Sequence, residues 1–173
     1  DVNKAVPAHF QNNDSVILLI GERKNELGGS VYYSLKNELG ANVPKPDFEE
    51  VRNQIFALTD CIDSGLVLSC HDIADGGIAS ALAEMTFRNS IGCNVNIESD
   101  LSPDKILFSE TGGFILEVLP KNIDTIKSVF SNYELGVFEI GSTGGESIQI
   151  NGITDIFVSE IKKAWTNGLR EKL

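Results

Sequence analysis

The stretch "SCHDIADGGIAS", residues 69–80, gathers a histidine, two aspartates and a glycine pair between two apolar runs. Three chemistries suit those residue types. A histidine side chain is suited to general acid or base work at neutral pH, so His71 is a candidate for that role. Asp72 and Asp75 are hard oxygen donors, able to share a divalent cation with a phosphate. Gly76 and Gly77 at a helix mouth leave backbone amides for an anion, which the helix dipole also favours. An architectural reading competes with all three: a strand hands over to a helix, one aspartate is its N-cap, and the glycines permit close packing. Two carboxylates at one mouth repel a phosphate unless Mg²⁺ bridges them, which weighs for architecture. Cys70 precedes His71 in the strand, so their side chains face opposite ways and do not form a nucleophile–base pair. With no other nucleophile identifiable as its partner, His71 reads as a hydrogen-bonded structural histidine.

Two further stretches place polar groups at element ends. "ELGGS", residues 26–30, is a second glycine-rich helix entrance, and Gly28, Gly29 and Ser30 are candidate anion-binding positions. It is not a P-loop, because the Lys-Ser/Thr after a second glycine is absent. "LFSETGG", residues 107–113, sets Ser109 and Glu110 just before a strand. A carboxylate there accepts hydrogen bonds from a ligand's amide or hydroxyl, or caps a turn.

The elements that must position these groups follow from apolar spacing. "VILLI" (16–20), "LVLSC" (66–70) and "FILEV" (114–118) are short apolar runs of strand length, and Cys93, Val95 and Ile97 alternate with polar residues as in a half-buried strand. Val31, Leu35 and Leu39 mark a short helix that Pro44 and Pro46 end. Asp47 caps a helix whose inward face is Phe48, Val51, Ile55, Leu58 and Ile62. Residues 76–88 form a helix with Ile78, Leu82 and Met85 inward, and Ile123, Ile126 and Phe130 mark another. "VFEI" and "SIQI" flank "GSTGGE" as a hairpin, and a last helix carries Phe157, Ile161, Trp165 and Leu169. Residues 1–15 read as a polar arm and 16–173 as one domain. The predicted fold is a layered α/β (α+β) domain, a mixed β-sheet flanked by helices.

Composition excludes several classes. The 173 residues suit one domain with a substantial core, and 42% apolar with 23% charged residues is a globular profile. Fourteen Lys and Arg against 25 Asp and Glu give a net charge of −11, with no basic stripe for nucleic acid or for an anionic membrane surface. No apolar run reaches membrane-spanning length, and the N-terminus lacks a signal-peptide pattern. Cys61, Cys70 and Cys93 are odd in number and lack CxxC spacing, which points to neither a disulfide framework nor a zinc site. The compartment reads as reducing cytoplasm. A chain that opens on Asp1 rather than methionine is expected to be a piece of something longer.

Taken together, "VPAHF…VILLIG", "ELGGS", the proline break, "GLVLSCHDIADGGIASALAEM" and "ILFSETGG" resemble one family over nearly the whole chain. It is the C-terminal domain of phosphoribosylformylglycinamidine synthase, the second of that enzyme's two aminoimidazole-ribonucleotide-synthase-type C-terminal domains. The family pattern Ser-Ala-His-Asp-x-Ser-Asp-Gly-Gly-Leu falls on Ser69 to Ile78, and its Ala-x-x-Glu-Met helix reaches Glu84 and Met85.

The resemblance implies an aminoimidazole ribonucleotide synthase C-terminal-domain-like fold. It also implies a whole enzyme converting formylglycinamide ribonucleotide, ATP and a glutamine amide nitrogen to the amidine. ATP and Mg²⁺ are then held mainly by upstream nucleotide-binding domains, and ammonia comes from a glutaminase domain or subunit. This fragment alone is expected to be inactive. Ser109-Glu110-Thr111 is the pseudo-symmetric counterpart of a substrate-site Glu-Ser-Gln segment and departs from it. Gly113 stands where the family usually carries an arginine, and Ala74 where it carries a serine. His71, Asp72, Asp75, Gly76, Gly77, Ser109 and Glu110 are the candidates for the substrate or nucleotide side. The first five are expected to hold a strand-to-helix corner and a domain interface, and any ligand is expected near that glycine corner with Ser109 and Glu110 close by. None is assigned a catalytic or metal-binding role. The alternatives are another superfamily member (selenophosphate synthetase, thiamine-monophosphate kinase or the hydrogenase-maturation dehydratase) or a stand-alone binding module.

Overall fold

Runs of Ile, Leu and Val with side chains alternating across the chain axis make the central strands, and both faces of those strands are buried. A computed structural model describes residues 2–168. In chain order its elements are β1 (Val16–Ile20), α1 (Val31–Leu35), α2 (Phe48–Asp63), β2 (Val67–Asp72), α3 (Gly77–Thr86), β3 (Cys93–Val95) and α4 (Pro103–Phe108). They continue as β4 (Phe114–Val118), α5 (Ile123–Ser131), β5 (Phe138–Thr143), β6 (Ser147–Ile150), β7 (Thr154–Phe157) and α6 (Val158–Asn167).

The strands form one mixed sheet in the order β2-β4-β1-β5-β3-β6-β7. Ile17, Leu19 and Ile115 meet Ile78, Leu82 and Met85 of α3 and Ile106 and Leu107 of α4 on one face. Leu18, Ile20, Leu116 and Val118 meet Ala57, Leu58 and Cys61 of α2 and Ile126 and Phe130 of α5 on the other. Each Leu, Ile, Val, Met or Phe among these that is taken fully out of water contributes about 2 kcal/mol. Because β4 and β5 run antiparallel to their neighbours, β1, β2 and β3 all point the same way. Their carboxyl ends, with the starts of β4 and β5, make one rim, and every candidate site residue lies on or beside it.

The layered α/β class is as expected; several details are not. The expected hairpin between "VFEI" and "SIQI" does not form: β3 lies between β5 and β6, antiparallel to one and parallel to the other. The crossing is fastened where Gly144 and Gly145 exchange backbone bonds with Gly92 at 2.8 and 2.9 Å. β6 instead turns back on β7 through Asn151 (φ 52°) and Gly152 (φ 65°), the two left-handed residues of a tight hairpin. That strand takes Phe157 out of the expected last helix and leaves it 57% exposed; Leu169 lies outside the described residues. α4 was not expected. α1 stops at Leu35, short of Leu39, and both leucines are exposed. In α2 the buried residues are Gln54, Ala57, Leu58 and Cys61, whereas Phe48, Val51 and Ile55 face solvent. The polar arm is part of the core: Phe10 is fully buried.

Candidate functional site

The corner after β2 is shaped by its two glycines and by groups far away in sequence. Gly76 and Gly77 both have positive φ, at 79° and 67°, and Gly76 is the N-cap residue of α3. A Cβ on Gly77 would stand 2.6 Å from the Leu107 carbonyl oxygen, so α4 packs against α3 only because that atom is missing. Neither aspartate caps the helix. Asp72 ends β2 and Asp75 lies in the turn, both exposed. The cap is supplied from the sequence-distant loop before β4, where Glu110 Oε1 accepts the Gly76 amide at 2.9 Å.

The same oxygen accepts the Val31 amide, also at 2.9 Å, which opens α1. One carboxylate oxygen thus joins the two glycine-rich helix entrances that the sequence offered as separate anion sites. At the other entrance, Gly28 N donates to Asn42 O and Gly29 N to Leu39 O, each at 2.7 Å. Ser30 Oγ donates to Leu27 O at 2.7 Å and accepts the Tyr33 amide at 3.2 Å as the N-cap of α1. These donors are all spent internally.

Ser109 is fully buried and serves the neighbouring loop, donating from Oγ to Lys24 O at 2.7 Å. His71 places Nδ1 2.7 Å from the Asp72 carbonyl oxygen and Nε2 3.1 Å from Glu84 Oε2. The two ends of the motif are therefore in contact: the strand-end histidine is held by the glutamate two turns into α3. Both ring nitrogens are occupied, and the nearest thiol, Cys70, is pushed up to about 12 by burial and then by the Asp72 charge. A thiol so placed carries almost no thiolate at neutral pH. The corner lacks an activated nucleophile.

Two functional-looking residues escaped the sequence reading. Arg23, in the loop after β1, is only 8% exposed; Nη1 donates to Ser109 O at 3.4 Å and Nη2 to Gly112 O, while Nε has no hydrogen-bond partner. Burial lowers its guanidinium to about 10, against a smaller upward pull from Glu26. A Cβ on Gly113 would meet Arg23 Nη2 at 3.2 Å, so a guanidinium from another loop fills the space beside Gly113. Glu117, in β4, is fully buried, and accepts from Gln11 N (2.7 Å), Asn12 N (2.9 Å) and Ser69 Oγ (2.8 Å). It fastens the arm to the sheet. An alternating strand pattern hides such a residue, since it looks like one polar position among apolar ones.

Farther along the rim a cleft of about 840 Å³ opens over β1, β5 and the segment after β3, lined by Glu22, Arg23, Asn96, Glu98 and Phe138 among others. No sequence motif marks it.

The AIR synthase related protein C-terminal domain matches residues 12–151. The chain belongs to that family. Relatives that match over nearly the whole chain are named phosphoribosylformylglycinamidine synthase subunit PurL. The subunit of Methanothrix thermoacetophila is 33% identical across 100% of this chain, and that of Thermoplasma volcanium 34% across 98%. This chain spans about 23% of the length of either relative. Thermotoga maritima PurL complexed with FGAR superposes with a TM-score of 0.77 at 18% identity, over 92% of this chain and 30% of that one. The thiamine-monophosphate kinase of Stenotrophomonas maltophilia superposes at 0.56 with 12% identity, over 87% of this chain and 54% of that one, which is a likeness of fold.

A nucleotide phosphate and its Mg²⁺ do not fit the glycine corner. The amides that would bind the phosphate already hold Glu110, and a second anion there would face its charge. Among the described residues no group of three or more His, Cys, Asp and Glu side chains is placed to hold a metal ion.

Proposed function

We propose that this chain works as the C-terminal domain of a phosphoribosylformylglycinamidine synthase. In that longer enzyme ATP activates the formamide oxygen of formylglycinamide ribonucleotide, ammonia released from glutamine attacks the carbon, and phosphate leaves. Upstream domains bind ATP and Mg²⁺, a glutaminase domain or subunit supplies ammonia, and the assembly works in the cytoplasm. The role of this domain is to brace the substrate-side architecture, and by itself it is inactive. The arm of residues 1–15 is the connection to the preceding domain.

The observation that carries the architectural role is the filled corner: Glu110 occupies both helix-entrance amides, and His71 is spent on Glu84. The family motif is thus used for holding the rim together. Homology to PurL subunits across the whole chain supports the reaction class.

The test is complementation of a purine-auxotrophic strain lacking the synthase. The complete gene is compared with one stopped before Asp1 and with one carrying His71→Asn. Growth with the complete gene and with His71→Asn, and none with the truncation, is the expected pattern. No growth from a soluble complete product would overturn the assignment to this reaction. Loss of growth with soluble His71→Asn would make the histidine a participant in the chemistry.

A further inference from the structure

Helix α2 carries an apolar stripe longer than the domain covers. Its carboxyl half packs on β1, β2 and β4 through Ala57, Leu58 and Cys61. Its amino half presents Phe48 at 83%, Val51 at 38% and Ile55 at 46% exposure, with Phe56 at 51%. The segment before it does the same, with Val31, Leu35, Leu39 and Val43 all exposed. Eight of the fourteen large apolar side chains exposed among the described residues therefore fall between residues 31 and 56. An apolar concentration of this kind is a mark of an interaction site.

This segment is fastened at many points although its side chains reach into solvent. Glu110 holds the Val31 amide, Leu39 and Asn42 carbonyls accept from Gly29 and Gly28, the Lys45 amide reaches Glu26, and Asp47 caps α2. Its apolar groups are held ready, with little ordering left to lose on binding. Its charge also stands apart. Residues 31–56 hold three basic and four acidic side chains, nearly neutral in a chain of net charge −11. Two copies of the chain would bring −11 against −11, which opposes self-association.

We propose that residues 31–56 are the docking face for an apolar, uncharged surface on the upstream part of the same synthase polypeptide. This rests on the reading of the chain as one domain of a longer enzyme, and goes beyond it by naming the face and the chemistry that covers it. Docking there also places the partner domain against the rim where Glu110 joins α1 to α3.

Thiol labelling of the full-length synthase tests it. Phe48→Cys and Leu39→Cys are made singly, with Lys121→Cys as a reference: Lys121 is exposed and follows the far end of β4, away from the rim. The chain's own thiols, raised to about 11 at Cys61 and about 12 at Cys70 and Cys93, give a slow background. Maleimide incorporation is followed peptide by peptide by mass spectrometry. Labelling at least ten times slower at positions 48 and 39 than at 121 is expected. Equal rates at all three overturn the proposal. Slow labelling that recovers on hundred-fold dilution assigns the face to a second copy, and overturns it too. If Phe48→Cys fails to fold, Leu39→Cys in the preceding loop carries the test alone. An inactive but protected full-length protein would sink the assignment of function and leave the docking face standing; an active enzyme with freely labelled cysteines would do the reverse.

Discussion

Glu110 and Gly76 are joined by one hydrogen bond of 2.9 Å, and through it a loop before β4 caps the helix that follows β2. The carboxylate takes up helix-entrance amides that could otherwise have met an anion from outside. Because the Val31 amide bonds to the same oxygen, three segments distant in sequence meet at one atom. An amide pair at helix entrances is an anion site, and this fold carries its own anion.

Removing that anion should therefore loosen the rim. Glu110→Ala leaves the buried Gly76 amide unpaired and is expected to cost about 2 kcal/mol. Glu110→Gln keeps the accepting oxygen but not the charge, and should cost less than half as much. Urea unfolding of both variants checks the order. Equal losses would mean that the charge contributes nothing.

Gly113 and Arg23 make a linked pair. Gly113 has φ 109°, and a Cβ there would stand 2.2 Å from the Ile20 carbonyl oxygen. Gly113→Ala is expected to destabilise by about 3 kcal/mol from strain and collision together. An arginine there, Gly113→Arg, should be worse still, because Arg23 already fills the adjoining space. Arg23→Ala abandons the Ser109 and Gly112 carbonyls and should cost about 2 kcal/mol. Thermal melts of the three variants test this; a Gly113→Arg protein as stable as the parent would remove the steric argument.

What the sequence disclosed, and what it hid, follows from range. Apolar periodicity found β1, β2, β4, α3 and α5, since Leu18, Ile78 and Phe130 are buried by partners that any such pattern must find. It also found α2, but its apolar stripe misidentified the buried face. Periodicity records which residues are apolar, and Phe48 and Ile55 are apolar without a cover in this chain. The insertion of β3 between β5 and β6 was not legible, because "GSTGGE" has hairpin chemistry and only tertiary pairing rejects it. The true hairpin signal, Asn151-Gly152, was present and passed over. At the site, local reasoning offered one of Asp72 and Asp75 as the cap of α3. The cap is Glu110, which no short-range rule connects to Gly76.

Glu117 fixes the arm by the same kind of long-range bond. With three donors converging on a fully buried carboxylate, Glu117→Ala is expected to cost about 3 kcal/mol. Glu117→Gln turns one acceptor into a donor facing another donor and should cost about 1–2 kcal/mol. Hydrogen exchange separates this from general loosening. The Gln11 and Asn12 amides should lose protection first, while those of β4 and α5 keep theirs. Uniform loss across the domain would deny the arm a separate anchor.

The buried thiols set an alkaline limit on stability. Burial raises Cys93 from 9.0 to about 12, and burial with the Asp72 charge raises Cys70 equally. A folded-state value above the unfolded one means that the unfolded chain ionises first. The stabilising contribution is thus complete below about pH 9 and is lost as pH rises from 9 towards 12. Arg23 acts in the opposite sense, since its value is lowered to about 10 and its buried charge is relieved above that pH. Cys93→Ala isolates the thiol: it costs stability at pH 7 through the space it leaves, but the difference from the parent should shrink between pH 9 and pH 11. A difference that stays constant over that range would show that Cys93 titrates alike in the folded and unfolded chains.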